Sequence, residues 1–261
     1  MKFYRINALL LKYFYININR ADRLFDIFYW PTIDLFVWGF TSFYIKELSN
    51  FNILSMLIGG IILWTFVWRA SQDIAVFVLE DFWSRNLYHL FSSPLKVSEH
   101  IISIILVGFL RSLATFLFLS VFAFLLYSFN IFNINIIVLG IAVLLLSMFG
   151  WIMGMFVTSF IMRYGQRIQV LAWSTVWIIQ PFTCVFYPLS SMPSWAAKIA
   201  VFIPTTYVFE AMRESLSGNP ITYSNLFYSA ILTVILFIAT ALFLRASFKK
   251  ARMTGLLARG D

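Results

Sequence analysis

The stretch Ile134–Met162, INIIVLGIAVLLLSMFGWIMGMFVTSFIM, decides the fold: it runs 29 residues without an Asp, Glu, Lys or Arg. About 20 apolar residues carry a helix across the hydrocarbon core of a bilayer. An amphipathic helix on a soluble core shows one apolar stripe, whereas this run is apolar on every face. Working outward, the runs 27–45, 51–79, 101–129, 168–187 and 226–246 read the same way. The runs 101–129 and 134–162 are long enough to tilt in the membrane or project beyond it.

The rest of the chain supports lipid as the solvent. Of 261 residues, 61% are hydrophobic and 11% charged, against about 25% charged in a soluble domain. Such a surface cannot be covered with charge, and the length leaves little room for a soluble catalytic domain. The expected fold class is an all-α membrane protein forming a single transmembrane domain over 1–261. It has six transmembrane helices, an N-terminal amphipathic interfacial helix over 1–25, and an outer re-entrant helical hairpin over 188–218 between the fifth and sixth spans.

The net charge of +8 reads as topology rather than as a nucleic-acid footprint. Basic residues gather in the N-terminus (Lys2, Arg5, Lys12, Arg20, Arg23), the second-to-third loop (Arg69, Arg85, Lys96), the fourth-to-fifth loop (Arg163, Arg167) and the C-terminus (Arg245, Lys249, Lys250, Arg252, Arg259). Only Lys46, Lys198 and Arg213 fall on the other side, and Arg111 lies within a span. Cytoplasmic loops collect Lys and Arg. Both termini are therefore expected in the cytoplasm, with the protein multi-pass in the plasma membrane. No cleavable signal peptide is expected at the N-terminus. There Phe3, Ile6, Leu10, Tyr13 and Phe14 recur at helical spacing, while Lys2, Arg5 and Lys12 share a neighbouring arc, the pattern of a helix lying on a membrane surface.

Two connecting segments stand out. Glu80–His100 is charged and amphipathic and is interrupted by Ser93-Pro94, where Ser can cap and Pro can open a helix. It suits docking of another protein, or serves as a solvated connector. On the other side, Pro188-Leu-Ser-Ser-Met-Pro193-Ser-Trp195 and Pro204-Thr-Thr introduce two apolar stretches too short to span. Thr205 or Thr206 can cap the second, and Gly218 can end it. Glu210, Arg213 and Glu214 read as a solvated face of that hairpin.

Charges inside spans are costly and face protein or a wet cavity. Asp34 in the first span, Arg111 in the third, and Arg69 with Asp73 at the end of the second form an expected intramembrane polar network. Within it Asp34 and Arg111 can pair, with Arg69 and Asp73 close by. It fixes helix packing or lines a pathway. Gly150-x-x-x-Gly154 permits close helix approach, within the chain or between copies. Cys184 reads as a buried thiol, and His89 and His100 as surface histidines without metal-ligand spacing. No Gly is followed by Lys, so a phosphate-binding loop of the G-x-x-x-x-G-K-[ST] type is absent, as are the serine-hydrolase and zinc-protease signatures. The chain is not expected to be an enzyme or to hold a cofactor or metal.

The pattern resembles the permease subunits of type-two ATP-binding-cassette exporters. The run Leu87-Tyr-His-Leu90-Phe-Ser-Ser93-Pro94-Leu95-Lys-Val-Ser-Glu99 is similar to that family's Leu-x-x-Leu-x-x-Ser/Thr-Pro-Leu-x-x-x-Glu, preceded by an acid, here Glu80 or Asp81. The outer run Tyr187–Trp195, then Ile203-Pro204, then Glu210-Ala-Met-Arg213 is similar to the family's paired prolines, its Asn-Pro (Ile203 replacing Asn) and its closing acidic-x-x-Arg. The resemblance implies a homodimer in membrane lipid, with separate ATP-binding-cassette ATPase subunits beneath it that hold ATP and magnesium. It implies ATPase coupling through Glu80, Asp81, Arg85, His89, Ser93, Pro94 and Glu99, and an outer hairpin built on Pro188, Pro193, Pro204, Glu210 and Arg213. The implied cargo is amphiphilic: lipid, glycolipid, lipid-linked glycan or drug-like compound. Tyr29–Asp34 departs from the glycan-export branch. The alternative function is a stand-alone channel or ion-coupled secondary carrier using Asp34 and Arg111.

Overall fold

The computed structural model describes residues 3–18, 21–46, 53–84, 86, 90 and 93–254. Its described residues form α-helices and short 3-10 turns, with no strand among them. The helices are α1 (Phe3–Ile18), α2 (Ala21–Lys46), α3 (Ile53–Trp83), α4 (Val97–Tyr127), α5 (Ile136–Tyr164), α6 (Leu171–Ile179), α7 (Ser194–Ala200), α8 (Pro204–Leu216) and α9 (Tyr223–Thr254). Among the described residues, four segments are long and apolar enough to cross a membrane: Ile53–Trp83, Val97–Tyr127, Ile136–Ile168 and Tyr223–Thr254. They cover most of the second, third and fourth runs read from the sequence and all of the sixth.

The first run lies within α2, whose 26 residues are long enough to cross, but whose apolarity is diluted by Asp34 and the Pro31-Thr32 step. Pro31 has no N–H, so the carbonyl of Ile27 one turn back loses its helical partner. Thr115 of α4 donates its hydroxyl to that carbonyl at 3.3 Å, which satisfies a group that lipid could not. The fifth run, 168–187, is not one continuous helix. A 3-10 turn over Gly165–Ile168 leads into α6 of only 9 residues, and a second 3-10 turn takes over at Gln180–Phe182. Pro181 cannot donate to Trp177 and stops the helix. Cys184, with φ 57°, then turns the chain and is fully buried.

Helix α3 is the central post and packs against α2, α4, α5 and α6. Its contact with α5 depends on the two glycines. A Cβ at Gly150 would come within 2.6 Å of the Ala70 Cβ, and one at Gly154 within 2.8 Å of the Ile74 Cβ and the Ser71 carbonyl oxygen. The G-x-x-x-G pair therefore serves packing within the chain.

The apolar core falls into two clusters. One holds α3 from Ile58 to Val67, α4 from Phe116 to Ala123 and the buried face of α8; the other holds Leu9 and Tyr13 of α1, α3 from Ile74 to Phe82 and α4 from Ile101 to Val107. Between them along α3 and α4 lie Arg69, Asp73 and Arg111. Helix α1 buries Ile6, Leu9 and Tyr13, while Phe3 and Phe14 stay exposed. The helical spacing was legible, but the sequence does not separate an apolar side chain that meets protein from one that meets lipid.

The stretch after residue 187 forms two short helices, as expected. Pro193 precedes α7, and Pro204 opens α8. Neither Thr205 nor Thr206 caps α8: Ile203 occupies that position, and the Thr206 hydroxyl donates instead to the Ala200 carbonyl at 2.8 Å. Gly218, at φ 71°, follows the end of α8 in the left-handed conformation that glycine adopts without strain.

Replacing Gly154 with Val forces a side chain against the backbone of α3 and is expected to cost about 1–3 kcal/mol. Gly140→Ala on the same helix, where a Cβ meets nothing within 4 Å, is expected to be neutral or to stabilise by up to about 1 kcal/mol. Unfolding curves of the two variants in the same detergent separate these outcomes.

Candidate functional site

A charged side chain in an apolar bundle must find a counter-charge or water, and the bundle gathers its charges around one cavity. The cavity has a volume of about 680 Å³ and lies among α2, α3, α4 and α6. All four members of the expected network, Asp34, Arg69, Asp73 and Arg111, line it. Their pairing differs from the expected one. Arg111 Nη1 donates to Asp73 Oδ1 at 2.5 Å, not to Asp34. Arg69 Nη1 donates to Asp26 Oδ2 at 2.6 Å, and Arg69 also donates to the Asp26 carbonyl. A third pair joins Arg23 to Glu80. Asp73 sits against Gly108 of α4, where a Cβ would lie 3.0 Å from its Oδ2, so the missing side chain makes room for the carboxylate. The reach of an Arg side chain exceeds one helical turn, which is why partners could not be assigned from depth along a helix.

The cavity wall is aromatic. Trp30 of α2, Trp64, Trp68 and Trp83 of α3, and Trp173 and Trp177 of α6 line it. The rings of Trp68 and Trp177 meet edge to face at 5.2 Å. Gln72 Nε2 donates to the Ala172 carbonyl at 2.7 Å, and Trp83 Nε1 to Gln169 Oε1 at 3.2 Å, tying α3 to the chain around the start of α6. The backbone break at Gln180 also borders the cavity. Irregular backbone at membrane depth is tolerated where it is buried or lines such a space.

A second polar cluster lies about two turns beyond Asp73 along α3. Asp81 is in the last turn of that helix, because α3 continues through Trp83; it does not begin a loop. Its Oδ1 accepts from Lys12 Nζ and Asn86 Nδ2, both at 3.0 Å. Its Oδ2 lies 3.3 Å from the Tyr13 hydroxyl and 3.1 Å from His100 Nε2, and those two atoms are 2.7 Å apart. His100 is only 1% exposed, so the expected surface histidine is a buried member of this knot. Burial and the adjacent carboxylate push the Tyr13 phenol well above its ordinary value, which keeps its proton in place as a donor. Arg5 of α1 donates to the Pro94 carbonyl and lies 3.5 Å from Glu99 Oε2. Glu99 in turn accepts from the Lys96 backbone N–H at 3.0 Å, closing the start of α4. Ser93 and Pro94 form a turn, and the helix resumes only at Val97. Arg85 and His89 lie outside the described residues.

Phe77 is shared by the two sites. The guanidinium groups of Arg23 and Arg111 lie 4.8 and 5.7 Å from its ring centroid, and the Tyr13 ring lies 4.8 Å away. Sequence reading missed Phe77, Tyr13, Asp26 and His100 as site residues. The one available signal was Arg23 and Asp26, spaced i, i+3 at the head of α2.

In the segment that follows the fifth run, Arg213 is buried rather than solvated. It donates to the Cys184 carbonyl at 2.7 Å and to Glu210 Oε1 at 3.2 Å, and Glu210 accepts from the Leu189 N–H at 2.7 Å. Glu214 accepts from the Thr222 N–H and hydroxyl. These charges are spent on folding the segment after Pro188 onto α8.

Long apolar helices around a polar, aromatic-lined cavity define a membrane transport protein. The family model described as ABC-2 family transporter protein matches residues 31–242, and the chain belongs to that family. Its members are membrane subunits of transporters that pair with a separate ATP-binding-cassette subunit carrying the nucleotide. No individual curated protein matches the sequence.

The paired and unpaired acids should respond oppositely to neutralisation. Asp73→Asn strands Arg111 in a buried site and is expected to cost about 3–5 kcal/mol. Asp34→Asn breaks no ion pair and is expected to leave stability unchanged or raised. Thermal unfolding of the two purified variants checks both signs.

Proposed function

We propose that this chain is the permease of an exporter that moves an amphiphilic cargo outward by alternating access, driven by a separate ATPase docked on its cytoplasmic face. In this reading the chain crosses the plasma membrane six times, α2 and the broken element around α6 being the first and fifth crossings. Both termini lie inside. Helix α1 lies along the inner surface, and the helices α7 and α8 dip into the outer leaflet. Two such chains form the pathway, and ATP and magnesium belong to the ATPase.

The observation that carries this reading is the tie between α1 and the segment Glu80–Glu99. Lys12 and Tyr13 grip Asp81, and Arg5 grips Glu99 and Pro94, at sequence separations of 68 to 94 residues. A displacement imposed on that segment from below reaches α1 through these contacts, and reaches the cavity through Phe77. Ser93 and Pro94 also border a second cleft, of about 950 Å³, with Arg245 and Arg252 of α9. That leaves a basic, recessed rim beside the segment where an ATPase would push. Glu80 serves differently from the other coupling residues, since its carboxylate pairs with Arg23 at the cavity mouth.

The test is purification of the tagged chain from its own cells, followed by reconstitution in liposomes. An ATP-binding-cassette ATPase, identified by its sequence and its nucleotide hydrolysis, is expected to co-purify. Tyr13→Phe and Phe77→Leu are expected to retain that partner while lowering cargo-stimulated ATP hydrolysis by about tenfold or more. Gradient-driven flux through liposomes holding this chain alone would instead establish the channel or carrier reading.

A further inference from the structure

The charges around the cavity do not cancel. Among the described lining residues, Arg23 is matched by Glu80, Arg69 by Asp26 and Arg111 by Asp73. Asp34 remains. No hydrogen bond or ion pair within the described residues reaches its carboxylate. Three cations face four anions, so the cavity carries one uncompensated negative charge.

That charge sits where an unmatched carboxylate is most costly. Asp34 is the thirteenth residue after Ala21 in a helix of 26, about 20 Å along its axis at 1.5 Å per residue. A carboxylate at such depth normally pairs with a protein group; here it faces a cavity instead.

The second observation is independent of Asp34. Six of the nine tryptophans of the chain line this one cavity. Interfacial anchoring explains indoles near helix ends, but Trp64 and Trp68 lie 11 and 15 residues into the 31-residue α3, well within the bilayer. Indole faces attract cations through the ring quadrupole, more strongly when water is excluded. An aromatic wall and an unpaired acid favour the same charge. Both disfavour an anion, which would meet the aromatic wall and Asp34 while each cavity arginine already has a carboxylate partner.

We propose that the cavity binds a lipophilic organic cation, with Asp34 as its counter-ion and the tryptophans, Trp64 and Trp68 among them, holding its apolar body. The volume of about 680 Å³ falls in the range of small-molecule pockets, about 300–1,000 Å³. The assignment names the cargo class for the export function above and rests on that reading for the direction of transport. It excludes phosphate-linked lipids and glycans from this cavity.

The test uses tetraphenylphosphonium and tetraphenylborate, ions of nearly the same size and shape and opposite charge. The full chain is placed in phosphatidylcholine nanodiscs, and binding to empty discs is subtracted. The cation is expected to bind on the order of tenfold or more tightly than the anion, and Asp34→Asn to remove about tenfold of cation affinity. Trp68→Leu is expected to weaken the cation while Asp34 is intact. Circular dichroism confirms that each variant is folded. Equal binding of the two ions, binding of neither, or an unchanged affinity in folded Asp34→Asn overturns the proposal. Capture of the ATPase is read separately on the same preparation. A chain that captures it without selecting the cation loses this inference alone, and a selective chain that captures none loses the export reading alone.

Discussion

Arginine stays charged at any pH a cell reaches, and three arginines near or within the apolar bundle cannot be left to lipid. Their counter-charges dictate much of the architecture. Arg111 holds α4 to α3 through Asp73, Arg69 holds α3 to α2 through Asp26, and Arg23 holds the head of α2 to the end of α3 through Glu80. Each pair bridges two helices, so the polar groups position the cavity walls while the apolar clusters on either side supply the packing. The belt of charge also interrupts the core along α3 and α4, and the uninterrupted contact of α3 with α5 through Gly150 and Gly154 joins the two halves.

This arrangement bears on how force could cross the molecule. Phe77 lies beside the guanidinium groups of two cavity pairs and also beside the Tyr13 ring. Tyr13 in turn meets Asp81 and His100, at the end of one long helix and the beginning of the next. A movement of α1 against α3 therefore cannot leave the ion pairs undisturbed. The same low dielectric that makes the pairs strong makes any partial opening of them costly, which favours two discrete arrangements of the belt over a continuum.

Much of this was legible in the sequence, for identifiable reasons. Charges inside apolar runs are rare, so Asp34, Arg69, Asp73 and Arg111 announced themselves, and all four border one cavity. Their partners were not legible, because the length of an Arg side chain lets it bypass the acid at its own depth. His100 looked like a surface residue because it ends the charged segment Glu80–His100, and nothing local showed that α1 would cover it. The break in the fifth run was signalled by Pro181 and overlooked in a run of strong apolar character. Glu210 and Glu214, one turn apart beside Arg213, read as a solvated face; the chain from Cys184 to Leu189 instead meets α8 there, burying Arg213 and engaging Glu210.

The claim on which the account rests is that each arginine bordering the cavity is compensated by its own carboxylate. A double-mutant cycle on Asp73 and Arg111, measured as unfolding free energy in a bilayer mimic with Asp73→Asn, Arg111→Gln and both together, tests it most directly. The account predicts that the double variant is less destabilised than the sum of the singles by about 1.5 kcal/mol or more. Additivity within about 0.5 kcal/mol would contradict it, since each charge would then be stabilised by something other than its partner.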